Sequence, residues 1–225
     1  MSRRGYVPLT SPRTPIACDD AGVSSAPSVG RPRSGARRLP AGTAREEILD
    51  AAAELFSERG YAATSTRMIA EMVGVRQASL YYHFSTKEQI LAELLESTVR
   101  PSLTYAEQLA QQALNPAEAL QALVRYDVGI LLGARWNVGI LYALPEIATE
   151  PFTRFRAERE QLRSAYRRLV AAVAGTPSAD VTGDLVFGMV ESVIGMRRDL
   201  PALPPADQLG QSVAAAALRL ATPPR

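Results

Sequence analysis

The chain has 225 residues, 47% of them apolar, with 25 basic and 23 acidic side chains and a formal net charge of +2. That length allows one or two domains with a real core, and no stretch reaches the ~18 uninterrupted apolar residues of a membrane span. A single cysteine, Cys18, and a single histidine, His83, exclude an intramolecular disulfide, a cysteine or histidine metal cluster and most histidine-based catalysis.

Charge is unevenly spread. Residues 1–42 carry seven arginines against Asp19 and Asp20, a balance of +5. Residues 43–91 sum to −2 and residues 92–225 to −1, so any case for nucleic-acid binding rests on where charges sit. The first 42 residues hold six prolines among Gly, Ser and Arg, with no apolar period. They read as a disordered tail that cannot bury enough to offset its chain entropy. No apolar segment follows Arg3 and Arg4, so the start does not read as a secretory signal, and the expected compartment is the cytoplasm.

Helical order begins at Thr43, an N-cap with Glu46 and Glu47 in the first turn. Ile48, Leu49, Ala52, Leu55 and Phe56 make one apolar stripe, and Gly60 is expected to end the helix as a left-handed C-cap. The acids of this helix, Glu46, Glu47, Asp50, Glu54 and Glu58, are placed mostly on its outer face. Short helices follow over 66–73, stopped by Gly74, and 77–83. Ser85 and Glu88 have capping-box spacing and open a fourth helix, which Pro101 is expected to break or kink. Asn115-Pro116 starts a helix through about 134. A long helix runs from Phe152 to Gly175, and two more cover 179–199 and 206–221. No strand-like alternation appears. The expected fold is all-α: an N-terminal three-helix helix-turn-helix domain and a C-terminal bundle of about five to six helices, divided as tail 1–42, head 43–91 and bundle 92–225.

The informative stretch is residues 64–84, TSTRMIAEMVGVRQASLYYHF. Ala70 permits close helix approach, Gly74 suits a tight turn, and Ile69, Val73, Val75 and Leu80 form a small core between two short helices. An ordinary helical hairpin would share these features; the flanks decide against it. Gly60-Tyr61, Thr64, Ile69-Ala70, Gly74-Val75, Leu80-Tyr81, His83-Phe84, Lys87-Glu88 and Leu91 follow a first helix containing Ala52-Ala53-Glu54-Leu55-Phe56. With this set the chain resembles the tetracycline-repressor (TetR) family over about residues 43–95.

The resemblance implies a symmetric homodimer, mostly of repressors, with an operator-binding head and a C-terminal domain that binds a small-molecule effector and dimerises through its last two long helices. It places Thr66 and Arg67 at the DNA, and Arg76, Gln77 and Ala78 at the start of the recognition helix. Arginine reads guanine O6/N7, glutamine reads adenine N6/N7, and alanine meets a thymine methyl. Ser79, Tyr81 and His83 fall at phosphates, and Lys87 at the backbone where the next helix starts. Tyr82 reads equally as packing or as contact. Arg76 stands where many members have a capping serine, Ala78 where glycine is frequent and Val73 where alanine is, and the first two bear on operator sequence.

In the C-terminal region Tyr105, Tyr126, Trp136, Tyr142 and Phe152 are candidate ligand-binding residues, with core packing the competing reading for each. The arginines at 154, 156, 159, 163, 167 and 168 read as a solvated face paired with Glu158 and Glu160. Gly183, Gly188 and Gly195 suit close helix approach. The partners implied are double-stranded operator DNA, a second copy of the chain and an unidentified small-molecule effector, with no membrane, cofactor or metal. Two other classes stay open. An enzyme lacks support from paired carboxylates, a phosphate loop, zinc spacing or a catalytic triad. A nucleoid-type protein would bind DNA without sequence preference.

Overall fold

The computed structural model describes residue 39 and residues 42–222. The tail expected over 1–42 therefore lies, apart from Leu39 and Gly42, outside the described residues. Eight α-helices follow in order: α1 (Ala44–Arg59), α2 (Thr66–Val73), α3 (Gln77–His83), α4 (Lys87–Ala110), α5 (Pro116–Gly133), α6 (Thr153–Ala174), α7 (Asp180–Asp199) and α8 (Ala206–Ala221). Three short 3-10 turns at Val138–Ala143, Pro145–Ala148 and Glu150–Phe152 join α5 to α6. No strand occurs among the described residues, and none of their helices is long and apolar enough to cross a membrane.

Local chemistry explains most boundaries. The Thr43 hydroxyl accepts from the Glu46 N–H, and the Glu46 carboxylate accepts from the Thr43 N–H at 2.7 Å, a closed capping box. Ser65 caps α2 by accepting from the Met68 N–H. Gly74 takes the left-handed conformation at φ 73°. Its N–H bonds the Glu71 carbonyl while the Val75 N–H bonds that of Ala70, the paired bonds of a Schellman stop. Asn115 caps α5, with Pro116 at its first position.

Four local expectations need correction. Gly60 has positive φ, 86°, but ψ of 155° carries the chain away extended, not into the left-handed helical region. The cap of α4 is Thr86, whose hydroxyl accepts from the Gln89 N–H; Ser85 instead donates from its N–H and hydroxyl to the Gln89 side chain. Pro101 does not break α4, which runs on to Ala110, so the boundary expected between 91 and 92 falls within a single helix. The acids of α1 do not all face outward. Glu47 is buried, and Asp50 accepts from the Trp136 indole N–H at 3.0 Å and from Arg135 at 3.1 Å.

The Asp50 contacts tie α1 to the segment after α5. Arg197 of α7 reaches the last turn of α5 and the same segment, donating to the carbonyls of Leu131, Ala134 and Arg135. Within the bundle α8 lies along α5, and α6 packs on α4 and α7. Gly183 meets the Arg167 backbone so closely that a Cβ would lie 2.6 Å from its Cα, which fixes the α6–α7 approach; Gly188 and Gly195 face open space. The α6 arginines pair partly along their own helix, as with Arg154 and Glu158, but Arg159 grips Glu191 and Arg167 grips Asp184 across on α7.

At the centre of the bundle Asp127 of α5 is buried. Its carboxylate accepts from the Ser102 hydroxyl at 2.8 Å and the Tyr166 hydroxyl at 3.0 Å. Burial pushes its pKa up to about 6, against the pull of those two hydroxyls, and the nearby Glu191 carboxylate pushes the same way. Its folded pKa lies above its unfolded one. Charging it therefore opposes folding fully above about pH 6, and that opposition fades as pH falls towards 4. Glu46, Glu88, Asp184 and Asp199 are shifted the other way, so the stability they supply is lost only at lower pH, through the acid end of the carboxylate range. Denaturant unfolding should therefore show stability rising as pH falls below about 6 and continuing to rise towards 4, by about 1 kcal/mol per pH unit. Asp127→Asn should remove this slope; an unchanged slope would place its origin elsewhere.

Candidate nucleic-acid interface

The head presents α3 on a narrow base. Leu80 is its one buried residue, and with Ile69, Ala70 and Val73 of α2 it joins the core. Since one side chain of the helix points inward, most of the rest project out. Arg76, at the N-cap and making no side-chain capping bond, is exposed, as are Gln77, Ala78 and Ser79. Tyr81 is 46% exposed and Tyr82 87%. His83 is half-buried and packs edge-on against Tyr82 at 5.3 Å.

Thr66, at the start of α2, reaches α3. Its hydroxyl lies 3.1 Å from the Tyr81 hydroxyl and accepts from the Gln77 amide nitrogen at 3.2 Å. The same nitrogen donates to the Tyr81 hydroxyl at 3.4 Å. Three candidate residues thus form one polar cluster on the outer face. Arg67 projects from α2 and pairs with Glu71 one turn on, at 2.8 Å. Both side chains are mostly exposed, so that pair contributes little to stability.

Lys87 is placed differently from the other candidates. Its ammonium donates to the carbonyls of Tyr61 at 3.0 Å and Thr64 at 2.9 Å and sits over the Tyr61 ring at 4.0 Å. The Tyr61 hydroxyl donates to Glu88 at 3.2 Å. Burial, then the Glu88 charge, pushes the Tyr61 hydroxyl pKa up, while the Glu88 carboxyl is held low chiefly by its own backbone N–H. These residues fasten the turn between α1 and α2 to the start of α4. Two of the three ammonium protons of Lys87 serve that turn.

The aromatic candidates do not share one cavity. Tyr105 and Tyr126 stack at 4.2 Å and line a cleft of ≈ 390 Å³ between α4 and α5, beside Arg100 and Pro101. Tyr142 lies elsewhere, bonded to Thr98, at the edge of a ≈ 400 Å³ cleft with Phe155, Arg156 and Arg159. Trp136 is fastened to α1, and Phe152 is fully buried in the core. Helical periodicity shows which residues are apolar but not which neighbour each one meets. Tyr82 is the surface residue that sequence reasoning left undecided; its position two residues from Leu80, about 200° around the helix, was the available signal.

The model of the bacterial regulatory proteins of the tetR family matches residues 48–94, which span α1 to the first turns of α4. The crystal structure of Mycobacterium smegmatis AmtR is 49% identical and superposes with a TM-score of 0.78, covering 84% of this chain and 91% of that one. The chain belongs to the TetR family. The HTH-type transcriptional repressor KstR2 of Rhodococcus jostii is 29% identical over 147 residues, 64% of this chain and 72% of the relative. KstR2 of Mycobacterium tuberculosis, described as a ketosteroid transcriptional regulator, superposes with a TM-score of 0.60 at 26% identity, over 79% of this chain and 94% of that one. This TetR-family protein is a DNA-binding transcriptional regulator, and its family is one of regulators, not enzymes.

The geometry separates Lys87 from the exposed arginines of this TetR-type head. Lys87→Met should lower stability by roughly 1–3 kcal/mol, read by denaturant unfolding, because two carbonyls lose a charged donor. It should weaken binding to all DNA sequences alike and leave the slope of log affinity against log salt unchanged. Arg67→Ala should lower that slope by about one unit, as the loss of one phosphate contact does. A slope lowered by Lys87→Met would make its third N–H a phosphate contact.

Proposed function

We propose that this TetR-family regulator is a homodimeric, effector-responsive repressor that reads a palindromic operator through α2 and α3, residues 43–91 forming the reading head and residues 92–225 the effector and dimer domain. The observation that carries the reading is the outward face of α3. Gln77, Ala78, Ser79, Tyr81 and Tyr82 project from a helix anchored by Leu80 alone, which suits insertion into a major groove. Within that reading Gln77, Ala78 and Arg76 meet bases, while Thr66, Arg67, Ser79, Tyr81 and His83 meet the backbone and set register. The reading places the protein in the cytoplasm, where its operator is.

The dimer reading rests on α7 and α8. Val181 is 75% exposed and Leu185 56%, and Gly188 and Ser192 continue their stripe with i+7 and i+11 spacing. Leu220 of α8 is also exposed. Exposed valine and leucine in one line, with glycine allowing close approach, fit a second copy of the same helix pair related by a two-fold axis. The effector reading is supported by the clefts beside α4, because α4 carries the head at one end and lines the bundle at the other.

Light scattering at micromolar concentration should give about twice the chain mass of 24.3 kDa. Leu185→Glu should yield monomers of unchanged helicity by circular dichroism and weaken binding to a two-half-site operator far more than to a single half-site. Selection from random DNA should return a palindrome with half-sites about 34–36 Å apart or a multiple of it. A monomer in both the free and DNA-bound states, or selection without any preferred sequence, would overturn the proposal.

A further inference from the structure

We infer that Asp50 and Trp136 are positioning residues for operator reading: the bond between them fixes the angle of the head to α7 and so selects the half-site spacing that a dimer accepts. This rests on the proposed pairing of α7 and α8 with a second copy, and it adds a source of specificity away from α2 and α3.

Head and bundle share α4, and α4 has one weak point. Pro101 supplies no N–H, so the turn around it lacks a hydrogen bond, and helices bend at such places. A head carried by α4 alone would swing there. A second attachment runs beside it. α5 ends at Gly133, and the last carbonyls of a helix have no partner within it. Arg197 of α7 fills that end, donating to the carbonyls of Leu131, Ala134 and Arg135. The Asn137 amide donates to the Ile194 carbonyl at 3.0 Å, and a Cβ on Gly139 would lie 2.6 Å from the Ile194 side chain. Residues 134–139 are thereby seated on the last turns of α7.

The same residues hold α1. The Trp136 indole N–H donates to Asp50 Oδ1 at 3.0 Å, Arg135 donates to Oδ2 at 3.1 Å, and the guanidinium lies over the indole ring at 4.9 Å. The Asp50 side chain is only 12% exposed, so water competes little for it and its bonds weigh more than those of a surface pair. α7 also carries the stripe of Val181, Leu185, Gly188 and Ser192 that is proposed to meet its copy. One helix thus faces the partner along 181–192 and, through Ile194 and Arg197, seats the segment that holds α1. Two attachments, along α4 and at Asp50, fix an angle where one would leave a hinge. In a two-fold dimer that angle sets the distance and the relative rotation of the two α3 helices. One base pair more or less between half-sites shifts them by about 3.4 Å and turns them by about 35°. A rigid pair of heads rejects such sites.

The experiment uses the full chain and the palindrome selected from random DNA, with its spacer lengthened or shortened by one base pair. The wild type should bind the altered sites far more weakly. Trp136→Phe keeps an aromatic ring in place and removes the N–H. It should narrow that gap roughly 10-fold, the worth of a hydrogen bond to a carboxylate, and leave binding to a single half-site unchanged. Asp50→Ala should do the same, and the double variant should add nothing to either. Asp50→Asn retains an acceptor for the indole and should keep most of the discrimination. A second readout needs no DNA. With spin labels at Glu58→Cys, an exposed position of α1, in a Cys18→Ser background, the distance between the two heads of the free dimer should be narrowly distributed, and Trp136→Phe should broaden it. A wild type indifferent to spacing would overturn the inference and leave the proposed function standing. So would discrimination or a distance distribution that Trp136→Phe leaves intact, or a loss of single half-site binding as large as that of the palindrome, which marks damage to the head itself. A free protein with no distance between heads, being monomeric, would overturn the proposed dimer.

Discussion

The continuous buried face of α4 is the constraint on which the rest of this structure depends. Its N-terminal half places Ile90, Leu91, Leu94 and Leu95 against the head, and its C-terminal half places Val99, Leu103, Ala106 and Leu109 in the bundle. Both sets belong to one core. Pro101 lies between them and removes a helical hydrogen bond at a cost of about 3 kcal/mol. Burying a single valine or leucine returns about 1.5–3 kcal/mol. Three of them follow or flank the proline, so packing prevails and the helix stays whole. Head and bundle are therefore joined by a rod, not by a linker.

The outward face of α3 is exposed because the head has so little interior to offer. Helices of eight and seven residues are far below the length at which a helix is stable alone. They persist through caps, the stop at Gly74, and the few apolar residues that reach α1 and α4. The Lys87, Tyr61 and Glu88 cluster adds a polar fastening where the apolar contacts end. With Leu80 alone holding α3 inward, most of its other side chains remain available to a partner. Arg67 and Arg76 stand exposed on this face although residues 43–91 sum to −2.

Polar groups inside the molecule do two separate jobs. Asp127 is held by neutral hydroxyls from α4 and α6, so three helices meet at a carboxyl whose charge is costly there. Asp50 works at the joint, where the indole and guanidinium that follow α5 converge on α1. Arg197 closes the chain of contacts from α7 to the end of α5. A hydrogen-bonded route thus runs from α7, through residues 131–136, to α1, beside the apolar route along α4.

The sequence by itself determined the elements of the head and the number and order of the bundle helices. Thr43, Gly74, Asn115-Pro116 and Gly175 mark boundaries through bonds that span five residues or fewer, and such bonds form wherever those residues stand. The family pattern around Gly74 and Leu80 rests on the same short-range geometry. Tertiary structure alone decided the rest: that α4 passes through Pro101, that Glu47 and Asp50 turn inward, that Lys87 grips the Tyr61 and Thr64 carbonyls, and that the aromatic residues divide among separate clefts. Each of these depends on partners between 23 and 86 residues away, or on the summed burial of a whole helix face. Short-range chemistry shows that such a side chain needs a partner, and only the packing of the helices supplies one.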